Sequence, residues 1–328
     1  MMKLISLLFI LVAPLISSML ISAGGYDVSK STSQYTFKHS KPAMINVNIS
    51  EVLCKQSPNV NSITMWITKD WEECWYDVDN TQKELIDKGY TPVFLFYWFA
   101  DEVSVEFVKK NEKAYFKTMQ KFLKYLKKLH GKKIVVLNPE YNMAGVGEWD
   151  GMNDIFLKSY EILREDPQVI VGPCVGDFGD YSKTNEPNEW KCFDKSLQRS
   201  IKKADFIAFQ EMRALTKNTK QEILNTPKRS LNFAQYLKKT YHKPTMLSYL
   251  AISTYGKDGD NIQADVYKEY VKLLPLMQEK GDLLLFGTFH YFDYPGHVGY
   301  FNTAEEYFGL LKKDGTPKPS LEYYNKLH

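Results

Sequence analysis

Two glutamates stand out because each directly follows a short apolar run. Glu140 ends the stretch IVVLNPE, and Glu211 ends the stretch FIAFQE. A carboxylate at the end of a buried strand is costly to keep without a partner or a purpose. Two such carboxylates can serve as a general acid and as a nucleophile or base, which is the pair that cleaves glycosidic bonds. The structural alternative is an ion pair, for instance between Glu211 and Arg213.

Several other side chains follow apolar runs and are candidates for contacts with a substrate. Aromatic rings can stack on the flat faces of sugars, while amides, carboxylates and imidazoles can hydrogen-bond sugar hydroxyls. Trp66, in the middle of a run, is expected to be a core residue instead. The predicted substrate-binding residues are Trp98, Asn142, Asp177, Tyr249, His290 and Tyr291.

The elements that must position these residues are eight apolar runs, each followed by a stretch with helical spacing. A strand and a helix alternating eight times predict a (β/α)8 TIM barrel, in which loops after the strands carry the chemistry. A doubly wound open sheet is the alternative, but no glycine-rich phosphate loop follows the first run. The predicted strands are 44–49, 63–67, 92–98, 134–137, 169–175, 206–209, 245–250 and 283–289.

The first 25 residues are almost entirely apolar. Lys3 is their only charged residue. A small-residue exit, the place where a signal peptide would be cleaved, lies near Ser22, Ala23 and Gly24. This pattern predicts a signal peptide over 1–25, with an uncleaved N-terminal anchor as the alternative. Residues 26–328 are then expected to form a single barrel domain located outside the cytosol, and a membrane is expected as a partner only if the segment stays uncleaved.

Four cysteines fit an exported chain, because an even number of cysteines outside the cytosol indicates disulfides. Pairing by proximity joins Cys54 with Cys74 and Cys174 with Cys192. Each pair would close a loop of about twenty residues and stabilise the fold by about 3 kcal/mol. Free thiols are the alternative.

Composition limits the possible partners of the chain. Its formal net charge of +3 over 328 residues is too small to indicate binding to nucleic acid. The six histidines and four cysteines fit no metal-ligand spacing, so no metal or cofactor is predicted. Aromatic residues make up 14% of the chain, which is typical of sugar-binding clefts but also of well-packed cores.

The C-terminal region carries a resemblance to a known family. Its last predicted strand is rich in aromatic residues and is followed by the segment GLLKKDGTPKP, which includes Gly309, Leu310, Asp314 and Gly315, then Pro317, Lys318 and Pro319. This resembles the close of many (β/α)8 glycoside hydrolases. KPTMLSYLAIST (residues 243–254) is similar to the seventh-strand segment of the large retaining clan of these enzymes, and VVLNPEYN is similar to its fourth-strand acid/base segment.

The chain departs from that clan at two places. A proline separates Asn138 from Glu140, and Tyr249 stands where the clan has its nucleophile. Carboxylates on the fourth and sixth strands, as in other barrel glycosidases, are therefore the expected pair. The resemblance implies a hydrolase of polysaccharides or glycans. A barrel that binds carbohydrate without cleaving it is the alternative, and a structural protein whose barrel mouth is closed by side chains is a third.

Overall fold

The computed structural model describes residues 19–24 and 49–328. Eight parallel strands form a closed barrel in which neighbours along the chain are neighbours in the sheet, and β8 pairs with β1. The predicted (β/α)8 TIM barrel is therefore confirmed. The strands are β1 (Leu20–Gly24), β2 (Ser62–Ile67), β3 (Thr91–Phe96), β4 (Lys133–Leu137), β5 (Val169–Gly176), β6 (Ile207–Arg213), β7 (Thr245–Ile252) and β8 (Leu283–Thr288).

Helices surround this barrel. They are α1 (Ile49–Gln56), α2 (Val78–Asn80), α3 (Val105–Leu126), α4 (Met152–Leu163), α5 (Asp194–Leu197), α6 (Lys220–Tyr241), α7 (Gly259–Gly281) and α8 (Ser320–Tyr324). No helix within the described residues is long and apolar enough to cross a membrane.

Helix α3 shows why these elements form where they do. The Ser104 hydroxyl caps α3 by accepting a hydrogen bond from the Phe107 amide at 3.1 Å. Apolar residues at helical spacing, Tyr115, Met119 and Phe122 among them, are buried against the barrel, while the intervening lysines face solvent. Gly131, with a φ of +115°, makes the turn into β4.

The first strand differs from the sequence prediction. Strand β1 is Leu20–Gly24, which lies inside the segment interpreted as a signal peptide. Of the run 44–49 predicted as a strand, Ile49 begins α1 and the rest falls outside the described residues. An apolar leader and a strand buried on both faces have the same composition, so the pattern could not separate them. The other seven predicted strands are confirmed, with ends that differ by at most four residues.

Two irregularities in the sheet lie beside the candidate site. The register of β6 on β7 shifts between Phe209 and Gln210, and that of β7 on β8 shifts between Leu247 and Leu250. A shift of this kind re-aims the side chains next to it and is common near functional sites. Tyr249 lies within the second irregularity.

The predicted disulfides are absent, because all four cysteines are free thiols. Cys174 is buried in β5, with its sulphur 3.3 Å from the Ser248 hydroxyl of β7, whereas Cys192 lies in the 3-10 turn Glu189–Phe193, whose aromatic residues pack on α6. Cys54 in α1 and Cys74 in the turn after β2 are both exposed. Separation by about twenty residues therefore did not bring either pair of sulphurs together.

Candidate functional site

Glu140 lies at the mouth of the barrel on a strained turn that directly follows β4. Asn138 and Glu140, on either side of Pro139, have φ values of +48° and +63°, a region that residues other than glycine rarely adopt. The turn is held because the Asn138 amide donates to the Phe96 carbonyl at 2.9 Å and its side-chain nitrogen donates to the Tyr115 hydroxyl at 3.0 Å. Such strain is typical of functional sites, where the surroundings fix an unfavourable backbone.

The carboxylate of Glu140 is bound by a tyrosine from the other side of the barrel. The Tyr249 hydroxyl donates to Glu140 Oε1 at 2.6 Å. Burial raises the pKa of Glu140 to about 7, and the nearby charges of Asp101 and Glu305 act in the same direction, while the hydrogen bond from Tyr249 opposes them. A carboxyl group with a pKa near neutrality can both give and take a proton at pH 7.

Aromatic rings surround Tyr249 inside the barrel. The ring of Trp66 lies 5.3 Å from each of the Tyr97, Tyr249 and Phe289 rings. Tyr249 is only 1% exposed, whereas Tyr97 is partly exposed and donates its hydroxyl hydrogen to Asp101 at 2.7 Å. The middle of the mouth is therefore filled by aromatic side chains, while Tyr97 and Glu140 are partly exposed.

Glu211 is placed differently from Glu140. Its Oε2 accepts from Arg213 at 2.7 Å, and its Oε1 accepts at 3.0 Å from Ser230 of α6, whose hydroxyl also contacts the Tyr270 hydroxyl of α7. The side chain therefore points to the helical layer, on the same face of β6 as Phe209, which packs on Phe233 of α6. The ion pair with Arg213, weighed as an alternative from the sequence, is present in the structure.

Asp177 belongs to the same buried ionic cluster. Both of its oxygens accept from Arg229 of α6, at 2.5 and 2.7 Å, and one accepts from the Trp190 indole at 2.8 Å. Arg229 also pairs with Glu186 at 2.8 Å. Burial, with the charge of Asp177, raises the pKa of Glu211, while the two arginines oppose this. The cluster fixes the loop after β5 to α6.

Three other predicted substrate-binding residues make structural contacts. The Trp98 indole donates to Thr118 of α3 at 3.0 Å, and the Tyr291 hydroxyl contacts Ser57, next to α1, at 2.8 Å. Asn142 bonds both the amide and the carbonyl of Gly176, at 2.7 and 3.0 Å, so it joins the loop after β4 to the end of β5. Only Tyr249, among the predicted substrate-binding residues, contacts Glu140 in the described hydrogen bonds.

His290 is fully buried after β8, stacked 4.4 Å from Phe289 and 5.0 Å from His297. Burial lowers the pKa of His290 well below its usual value and that of His297 to about 4, so both rings are neutral at pH 7. The contact of His297 with Glu305 at 3.4 Å is therefore not an ion pair at that pH. The two imidazole rings therefore act as uncharged packing groups in the loop after β8.

The lysine of the C-terminal segment ties this loop to its neighbour. Lys318 is 3% exposed and bonds Asp293 at 2.5 Å, the Thr254 hydroxyl at 2.9 Å and the Tyr307 carbonyl at 3.1 Å. The loops after β7 and β8 therefore form one wall of the mouth. Within the described ranges, no group of three or more histidine, cysteine, aspartate or glutamate side chains could hold a metal ion.

The sequence interpretation missed Tyr97 and Glu305. Phe96 packs on Tyr115 and Phe122 of α3, so Trp98, two residues on, shares its outward face and Tyr97 points inward. The sequence shows that side chains alternate along this strand, but it does not show which face of the strand meets the helices. Glu305 follows the last strand by seventeen residues, and no local pattern marks it.

Several solved structures share the fold of this chain. A β-glucuronidase from Faecalibacterium prausnitzii superposes with a TM-score of 0.59 at 14% identity, covering 95% of this chain and 48% of its own. An exo-β-1,4-mannosidase from Opitutaceae bacterium strain TAV5 gives 0.60 at 13%, covering 94% and 59%. A xylanase from Cellvibrio japonicus gives 0.56 at 11%, covering 94% and 96%.

The chain has the fold of the (β/α)8 glycoside hydrolases. It spans about half of the glucuronidase and nearly all of the xylanase. The fold that the sequence resemblance implied is thus confirmed. No family model matches the chain, and no curated protein matches it either.

Proposed function

We propose that this protein is a glycoside hydrolase that cleaves a polysaccharide or glycan outside the cytosol, with Glu140 as its general acid and base. The observation that carries the proposal is the state of Glu140. Glu140 combines a left-handed backbone with a carboxyl group whose pKa is raised by burial, and each of these two features costs free energy at this one residue of the barrel mouth. The glycoside hydrolases that share the fold, and the apolar N-terminal sequence, support the proposal.

Glu140 has the properties that a general acid in this reaction requires. With a pKa of about 7, a large fraction of the carboxyl groups is protonated at neutral pH and can protonate the leaving oxygen of a glycosidic bond. The resulting carboxylate can then take a proton from the water that completes hydrolysis. Tyr249 holds Oε1 through both steps, so Oε2 is the oxygen that we assign to proton transfer.

Asp101 is our candidate for the second carboxylate. Its negative charge raises the pKa of Glu140, its side chain is exposed, and the Tyr97 hydroxyl donates a hydrogen bond to it. Glu305 also acts on Glu140 but is 4% exposed and accepts from the Phe301 amide at 2.8 Å. Glu211, the partner expected from the sequence, is held by Arg213 and Ser230 on the helical side of β6.

The test compares Glu140→Gln, Asp101→Asn and Glu211→Gln on natural glycans and on aryl β-glycosides. We expect Glu140→Gln to lower kcat/KM by about 10³-fold on glycans and much less on aryl glycosides, whose leaving groups need no acid. Asp101→Asn should lower kcat/KM on both substrates, and Glu211→Gln on neither. Unchanged turnover in Glu140→Gln on every substrate would overturn the proposal.

Thermal unfolding supplies the control for folding. The folded-state pKa of Glu140, about 7, lies above its usual value of 4.5, so the ionised carboxylate destabilises the fold; this cost grows as pH rises from 4.5 to about 7 and is fully present above that. Glu140→Gln removes that charge and keeps an oxygen that can accept from Tyr249. The variant should therefore be at least as stable as the parent protein at pH 8.

A second candidate function is a barrel that binds carbohydrate without cleaving it. Tyr249, in place of a carboxylate on β7, and the aromatic filling around it favour this reading. Glycan-array binding together with no increase in reducing ends over long incubation would establish it. Any reducing-end release that Glu140→Gln abolishes would reject it.

A further inference from the structure

The small-residue exit of the apolar N-terminal segment coincides with a barrel strand. Ser22, Ala23 and Gly24 are the last three residues of β1, and all three are completely or almost completely buried. They pair with Ser62, Ile63 and Thr64 of β2, and Ser22 also pairs with Gly287 of β8. Cleavage at this exit would remove the strand that closes the barrel.

Side chains as well as backbone bind β1 in place. The Ser22 hydroxyl contacts the Thr64 hydroxyl at 2.7 Å, and both are fully buried. The Ile21 amide donates to Asn61 Oδ1 at 2.8 Å, and the Gly24 amide donates to Thr288 Oγ1 at 3.2 Å. Thr64 and Thr288 are buried, so removal of β1 would take away hydrogen-bond partners that these hydroxyls have in the interior.

Gly24 is fitted to this position by its lack of a side chain. A Cβ atom there would lie 1.9 Å from the Phe289 carbonyl oxygen and 2.9 Å from that of Thr288. Both obstacles are backbone atoms, which cannot rotate away. Gly24, one of the small residues of the exit, is therefore also the residue that allows β1 to approach the end of β8.

We propose that Leu20–Gly24 is retained in the mature protein as β1, and that proteolytic processing, where it occurs, falls before Leu20. Loss of β1 would expose one edge of β2 and one of β8, and open edges of parallel sheets promote aggregation. The proposal does not depend on the catalytic role of Glu140. It concerns which residues make up the working domain.

The direct test is the mass of the protein as its host matures it. The full chain is expressed with its own N-terminus, the folded protein is purified, and intact mass and N-terminal sequencing locate its first residue. We expect that residue to lie at or before Leu20. A folded, monodisperse protein whose chain starts after Gly24 would overturn the proposal.

Point variants in the full chain provide a second readout. Gly24→Ala keeps a small residue at the exit but places a methyl group against the Phe289 carbonyl, so it should lower Tm by about 5 °C or more. Ser22→Ala, which also preserves the exit, and Thr64→Val should show non-additive losses in a double-mutant cycle. A Tm of Gly24→Ala equal to that of the parent, or strict additivity in the cycle, would show that β1 is not part of the fold.

Discussion

The hydroxyl of Tyr249 on β7 donates a hydrogen bond of 2.6 Å to Oε1 of Glu140, which follows β4 on the far side of the barrel. Tyr249 stands where the retaining clan has its nucleophile, and Glu140 belongs to the segment that is similar to the clan's acid/base segment. The contact therefore joins these two positions. A tyrosine donor stabilises the carboxylate form of its acceptor, and here it limits a rise in pKa that burial causes. Tyr249 therefore sets the pH range in which Glu140 carries a proton.

Tyr249→Phe should move the pH profile of the reaction. Loss of the hydroxyl removes the interaction that lowers the pKa of Glu140, so this pKa rises above about 7. Because the general acid must be protonated, the alkaline limb of kcat/KM should shift to higher pH, with roughly tenfold lower activity from the lost orientation. Tyr125→Phe, which loses a buried bond to Thr81 in the helical layer, is the matched control and should leave the profile unchanged. A shift of the alkaline limb to lower pH would contradict this role.

Arg213→Met should reduce stability far more than an equivalent change at the surface. It leaves Glu211 buried without its close cation, and breaking a buried pair in this way costs about 3 kcal/mol or more. Arg199→Met is the control, since Arg199 pairs with Asp150 and Asp154 at 2.9 Å but is largely exposed, so about 1 kcal/mol or less is expected. Chemical denaturation measures both. Equal losses in the two variants would show that the cluster around Asp177 does not hold the fold together.

Substitutions of the neighbouring residues Tyr97 and Trp98 should have different effects, the first on activity and the second on stability. Tyr97→Phe removes the hydrogen bond to Asp101, so kcat/KM should fall about tenfold while the free energy of unfolding changes by less than about 0.5 kcal/mol. Trp98→Phe loses the bond to Thr118 and part of its packing on Phe99 and Tyr115, so it should cost about 1–2 kcal/mol with kcat/KM within about twofold. The opposite pattern, in which only Trp98→Phe raises KM, would show that Trp98 contacts the substrate as the sequence predicted.

The fold could be predicted from the sequence because seven buried strands and their helices follow clear periodicities. Strand β1 could not, since a continuous apolar run does not reveal whether it crosses a membrane, directs export or closes a sheet. The disulfide prediction failed for a related reason. Distance along the chain says little about distance in space when Cys174 lies inside a strand and Cys192 lies in a turn packed on α6.

The candidate site could be predicted only in part. Glu140 was found because a proline after an apolar run marks the end of a strand. Glu211 follows an equally clear run, but a residue's position in the alternation does not say whether its face meets the barrel mouth or the helices. The register shift between Phe209 and Gln210 makes that assignment harder still. The bond from Tyr249 to Glu140 links positions 109 residues apart, which local pattern cannot reveal.

Strand β1 also fixes the direction in which the domain would face. Its first residue, Leu20, lies at the base of the barrel, because the strands are parallel and Glu140 follows the other end of β4. The chain that precedes Met19 therefore joins the domain at the base of the barrel, at the end opposite to Tyr97 and Glu140.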